Sequence, residues 1–156
     1  MTGARSVHSW TTDPLEAFVK EAGARLALLM TPTGQVFAQY GFARAVDVMA
    51  AAALGAAIVS STGEISKMLD KSDFSMLSHQ GTEHGIFLAG FDSPQGRLVL
   101  LAIYGHESSL GLVQLFYDEF VRELNAVCPE VQPQRPVLAA DFERDLNESL
   151  AALFRG

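Results

Sequence analysis

The stretch Arg44 to Leu69, RAVDVMAAAALGAAIVSSTGEISKML, constrains the rest of this chain more than any other. It has no proline and is rich in Ala, Leu, Met and Ile, so its helix propensity is high. At 1.5 Å per residue it runs roughly 39 Å, the width of a small domain. Apolar residues recur at Val46, Met49, Ala53, Ala57, Ile65, Met68 and Leu69, close to helical spacing. A second stripe reads Ala52, Ala56, Ser60, Gly63, Glu64 and Lys67. It is small and weakly polar, with less charge than a solvent-facing helix usually carries. A long helix with one apolar face and one smooth face can pack on its own sheet and still accept a flat partner. Alanine is also simply the best helix former, so propensity alone accounts for part of this composition.

The elements around it follow from turn and cap signals. Asp13-Pro14 opens a helix with Leu15, Phe18, Val19 and Ala22 on one side and Gly23 as its stop. Arg25–Thr31 is a strand-length apolar run. Pro32-Thr33-Gly34 is a turn, and Gln35–Tyr40 returns as a second strand. After the long helix, Phe74–Gly81 and Glu83–Phe91 read as strands, with a loop over Asp92–Gly96. Arg97–Tyr104 is almost continuously apolar and belongs at the centre of a sheet. Ser108 or Ser109 caps a further helix with a stripe of Val113, Phe116, Tyr117, Phe120, Val121, Leu124 and Val127. Pro129, Pro133 and Pro136 make an extended linker of the segment from Cys128 to Val137. Asp141 can cap a last amphipathic helix with Phe142, Leu146, Leu150 and Leu153 or Phe154 on one side. The pattern is α+β: a five-stranded antiparallel sheet with a long central helix, flanking helices and a C-terminal amphipathic helix. It divides into a domain over residues 1–128, a linker over 129–140 and a terminal helix over 141–156. The three prolines and the shortness of the apolar line make that helix a mobile second binding element that folds by laying its apolar side in a groove.

Composition removes several classes of function. The 156 residues suit one domain, and 49% hydrophobic content allows a real core. The charge is −7 with no Lys/Arg cluster, so nucleic-acid binding lacks its electrostatic term. No unbroken apolar run reaches the roughly 18 residues that span a bilayer, and Val48–Val59 is too short, so membrane insertion is not expected. MTGARSVHSW does not read as a secretory signal, and a single cysteine, Cys128, fits a reducing cytoplasm. His8, His79, His84 and His106 lack metal-like spacing. There is no GxxxxGK[ST] or GxGxxG, and no Ser–His–carboxylate arrangement or nucleophile elbow. No catalytic site, cofactor or metal is expected, and the chain does not read as an enzyme.

Six pieces of the sequence carry a resemblance. They are Gly23-Ala24-Arg25 leading into LALLM, the turn and strand TPTGQVFA, and the Ala-rich helix ending Lys67-Met68-Leu69. The others are the strand ending His79-Gln80-Gly81, the strand RLVLLAIY, and Ser108-Ser109-Leu110-Gly111-Leu112-Val113. Together they resemble the Roadblock, or dynein light chain seven, family, most nearly its bacterial MglB type. The long helix departs from that type in having Ala57 and Ile58 where Gly and Asn are usual.

The resemblance implies a homodimer in which the long helices lie side by side and the strands at Phe74–Gly81 pair across the two-fold. Met49, Ala52, Ala53, Phe74, Met76 and Leu77 are the corresponding interface residues. It implies a partner, an MglA-like small Ras-type GTPase, facing Ala56, Ser60, Gly63, Glu64 and Lys67. It also implies a second contact through the terminal helix, by Phe142, Leu146, Leu150 and Leu153. The activity implied is stimulation of GTP hydrolysis by holding the GTPase's own switch residues in register, without an arginine finger. The role implied is cell polarity or gliding motility, in the cytoplasm and concentrated at a cell pole. The alternative is a scaffold that bridges a GTPase or another Roadblock protein without activating it.

Overall fold

A computed structural model describes residues 5–6, 8–69, 76–130 and 135–154. A single turn of 3₁₀ helix over Ser9–Thr11 leads into α1 (Thr12–Ala22), so the first helix starts just before the expected Asp13 and keeps Pro14 in its first turn. Gly23 closes it at φ 71°, a left-handed conformation that costs glycine nothing. The chain then enters β2 (Ala24–Met30), turns, and returns as β3 (Val36–Tyr40). The expected turn is present: the Gly34 amide donates to the Thr31 carbonyl at 3.0 Å. Next come α2 (Ala45–Met68), β4 (Met76–Gln80), β5 (Gly85–Ser93), β6 (Gly96–Tyr104) and α3 (Leu110–Val127). The five expected strands form one antiparallel sheet. It gains a two-residue strand, β1 (Arg5–Ser6), on the outer side of β3. The order is β1-β3-β2-β6-β5-β4, so β6 is central as its apolar run predicted, and β4 lies at an edge. The expected loop at 92–96 contracts to a tight hairpin turn, with Asp92 and Ser93 still paired to Arg97 and Gly96.

Each sheet face has its own core. Below, α1 and α3 close over Leu29, Phe87, Phe91, Leu98 and Leu100 with Phe18, Phe120 and Leu124. Phe120 stands edge-on to Phe18 and Phe91 at centroid distances of 5.7 and 6.0 Å. Above, α2 crosses Leu28, Met30, Leu88, Val99 and Leu101.

The seven-residue apolar stripe of α2 does not meet the sheet. Met49 is 70% exposed and Met68 82%, and Val46, Ala53, Ala57, Ile65 and Leu69 are also exposed. The stripe that faces the sheet is Val48, Ala52, Gly55, Val59, Thr62 and Ser66, at spacings of four and three residues, and every member is buried or half-buried. Ala52, expected at the dimer interface, is 2% exposed in this core instead. The reason is steric. A Cβ on Gly55 would lie 2.6 Å from the terminal methyl of Met30 and 3.3 Å from a Leu101 methyl, so the small-residue side brings the helix down on the sheet without displacing those side chains. The same helix also corrects the reading of membrane-spanning potential. Ala45–Met68 is long and apolar enough to cross a bilayer by length and composition, although no unbroken apolar run in it reaches that length.

The terminal helix, α4 (Arg135–Phe154), begins six residues before the expected Asp141 cap. Pro136 therefore sits in the first turn of a helix, where its missing N–H costs nothing, and not in an extended linker. Phe74 lies outside the described residues, as does the side chain of Phe142.

Candidate interaction surface

A chemically distinctive surface is formed by the outward side of α2 together with the edge of β4, which no described strand covers. At 100° per residue, the sheet-facing stripe leaves about half the helix circumference outward. Over its first half that side presents Val46, Met49, Ala53, Leu54 and Ala57. Leu54 is 66% exposed and was not singled out from the sequence. It lies to one side of the recurring stripe, so a search for helical spacing passes over it. Over the second half, Ser60, Gly63, Glu64 and Lys67 run along one flank, with Ile65 and Met68 on the other. Ala56 is half-buried: it leans toward the β2–β3 turn, its Cβ 3.6 Å from where a Cβ on Gly34 would be. The remaining four residues of the expected GTPase-facing set are all exposed.

The electrostatics of this surface are quiet. Lys67 reaches Glu64 at 3.0 Å, with both side chains more than two-thirds exposed. Such a pair contributes little. Arg44, at the N-cap, donates twice to Asp47, at 3.0 and 2.9 Å, and these bonds hold the Asp47 carboxyl below its usual range. Both cations at the ends of α2 are thus engaged by their own neighbours.

Among the described residues β4 pairs with β5 alone, from Met76↔Ala89 to Gln80↔Gly85. Its other side offers backbone donors and acceptors to a further strand. Met76 is 39% exposed and Leu77 half-buried, so the expected interface residues Met49, Ala53 and Met76 are open while Leu77 is partly covered.

Two of the six sequence pieces turn out to be local structural devices. In His79-Gln80-Gly81, the Gly81 amide closes the β4–β5 turn on the His84 carbonyl at 2.8 Å, and the Gln80 amide donates to the Tyr104 hydroxyl. In Ser108-Ser109, the Ser108 hydroxyl donates to the Ala22 carbonyl, and Ser109 caps α3 by accepting from the Leu112 amide at 3.2 Å. Between them Arg25 grips Glu107 with two bonds, at 2.6 and 3.0 Å, and its third nitrogen lies 2.8 Å from His84 Nε2. That grip pulls the Glu107 carboxyl down to about 2. No group of three His, Cys, Asp or Glu among the described residues is placed to hold a metal. Burial raises the pKa of the Cys128 thiol.

Residues 12–104 match the Roadblock/LC7 domain.

The chain belongs to the Roadblock/LC7 family.

Within that family its fold is similar to solved MglB structures. One is Myxococcus xanthus MglB, at a TM-score of 0.68 and 24% identity, covering 78% of this chain and 96% of that one. Another is the gliding protein MglB of Thermus thermophilus, at 0.66 and 24%, covering 76% and 88%. A third, described as MglB with a tetrameric arrangement, stands at 0.65 and 24%, covering 76% and 88%. No curated protein sequence matches the chain. The Roadblock match ends at Tyr104, so α3 and α4 lie beyond it.

Proposed function

We propose that this Roadblock protein is a homodimeric regulator of an MglA-type Ras-like GTPase. It stimulates GTP hydrolysis by holding the GTPase's own switch residues in register. The observation that carries the reading is the outward side of α2. A 24-residue helix that turns Met49, Leu54, Ile65 and Met68 to solvent beside an unpaired strand edge has the makings of a partner surface. The family and the fold likeness to MglB support the choice of partner. The apolar half of the α2 face and the β4 edge serve the dimer. Ser60, Gly63, Glu64 and Lys67, with Ala56 at their margin, serve the GTPase, and α4 reaches it as a tethered second contact. The protein acts in the cytoplasm in polarity or gliding motility.

The deciding experiment is GTP turnover by an MglA-type GTPase with and without this protein. Acceleration supports the reading, whereas binding without acceleration leaves a scaffold. Light scattering at micromolar concentration should give a dimer, in keeping with ordinary interface sizes. Ser60→Arg places an unpaired charge in a flat contact and should weaken GTPase binding by about 2 kcal/mol or more, with the dimer intact. Normal binding and stimulation by that variant would remove Ser60 from the contact.

A further inference from the structure

A groove opens between the C-terminal half of α2 and the sheet. Its apolar lining includes Ile58, Val59, Leu88 and Val99, with Met76 and Leu77, expected at the dimer interface, on the β4 side, and its volume is about 210 Å³. Gly63 borders it on the helix, and Gly90 and Arg97 border it on the β5–β6 hairpin. That volume is below the roughly 300–1,000 Å³ of sites for drug-sized ligands, and suits a few apolar side chains instead. The chain leaves α3 beside the same hairpin. The Gln95 side-chain amide in the hairpin turn donates to the Pro129 carbonyl at 2.6 Å, and the Asn125 amide donates to the Asp92 carbonyl at 3.3 Å. Four residues of sequence separate Glu130 from α4. On α4, Leu146, Leu150, Leu153 and Phe154 recur at helical spacing and all are exposed. This is the i, i+4, i+7 pattern of anchors that a helix lays into an apolar groove.

We propose that this groove is the seat of the chain's own C-terminal helix. The tether at the hairpin keeps α4 at high effective concentration beside the groove, which favours the same chain over a second copy. Gly63 belongs both to the rim and to the proposed GTPase-facing flank. On that reading of the flank, a seated helix covers part of the line the GTPase uses, and GTPase binding must release it.

The test uses methyl NMR on the full chain without any GTPase, so its outcome is independent of whether the GTPase reading holds. Leu150→Asp with Leu153→Asp alters two exposed positions and leaves the folded core in place. It should shift the methyl signals of Val59, Leu77, Leu88 and Val99, to the same extent at tenfold lower protein concentration. Gly63→Trp approaches from the other side. A Cβ there meets nothing within 4 Å, so the substitution starts from open space on the helix. It should shift the signals of Leu146, Leu150 and Leu153 toward those of a free helix. Groove signals unchanged by the double substitution would overturn the proposal. So would shifts that vanish on dilution, which would assign the groove to a second copy.

Discussion

The two faces of the sheet are solved differently. Beneath it, α1 and α3 supply large side chains that interlock: Phe18, Phe87, Phe91, Tyr117 and Phe120 meet edge to face. Above it, α2 meets the sheet with Ala52, Gly55, Val59 and Ser66 and turns its larger side chains outward. The lower face is finished within one chain. The upper face uses small residues to bring a helix close and leaves a second apolar surface for something else to cover. Apolar content in a helix therefore says little about which side is inside. On this sheet the available gap decides it.

Substitutions that touch only one face sharpen the contrast. The largest effect belongs below. Phe120→Ala opens a cavity in the interlocked cluster and should cost about 3–5 kcal/mol, measured by urea unfolding. A cost under about 1 kcal/mol would mean that the lower face is not tightly packed. The next test compares two alanines of α2. Ala52→Leu forces a larger side chain against the sheet and should cost about 1–3 kcal/mol. Ala57→Leu, on the outward side, should change monomer stability by no more than about 0.5 kcal/mol. Equal costs would erase the distinction between the two sides of the helix.

A smaller effect reports burial below through pH. Burial pushes the Tyr117 phenol from its ordinary value of 10 up to about 12. The unfolded chain therefore loses this proton first as pH rises. The stability from keeping Tyr117 neutral is fully present below pH 10 and is lost as pH climbs through about 12. Tyr117→Phe should flatten that alkaline loss in unfolding measured against pH.

The smallest effect lies at the rim, where Arg25 holds Glu107 near 2 against an ordinary value of 4.5. Here the folded pKa is depressed, so the contribution is present above pH 4.5 and is lost as pH falls through about 2. Both side chains are nearly half exposed, so Glu107→Gln should lessen the acid slope only slightly.

Much of the fold was legible because its signals are local. Proline and glycine at Pro32-Thr33-Gly34 specify a turn, and a seryl hydroxyl at Ser109 specifies a helix start. The unbroken apolar run of β6 specifies a strand buried on both sides. The surface was less legible. Met49 and Ala53, expected at a dimer interface, are exposed, while Ala52 beside them, expected there too, is buried. Adjacent residues on a helix point 100° apart, and composition gave no sign of which direction faced the sheet. The start of α4 was misplaced for a related reason: Pro136 excludes a helix interior but suits a first turn, and proline alone does not say which.

By itself the sequence determined the five main strands, the helices α1 to α3, their order and the centre of the sheet, because caps, turns and hydrophobic runs act over a few residues. Only the tertiary structure decided which side of α2 is inside. That depends on the close fit of Gly55 against Met30 and Leu101, which lie far along the chain from one another; a Cβ at Gly55 would come within 2.6 Å of the Met30 methyl and make the end of that side chain move.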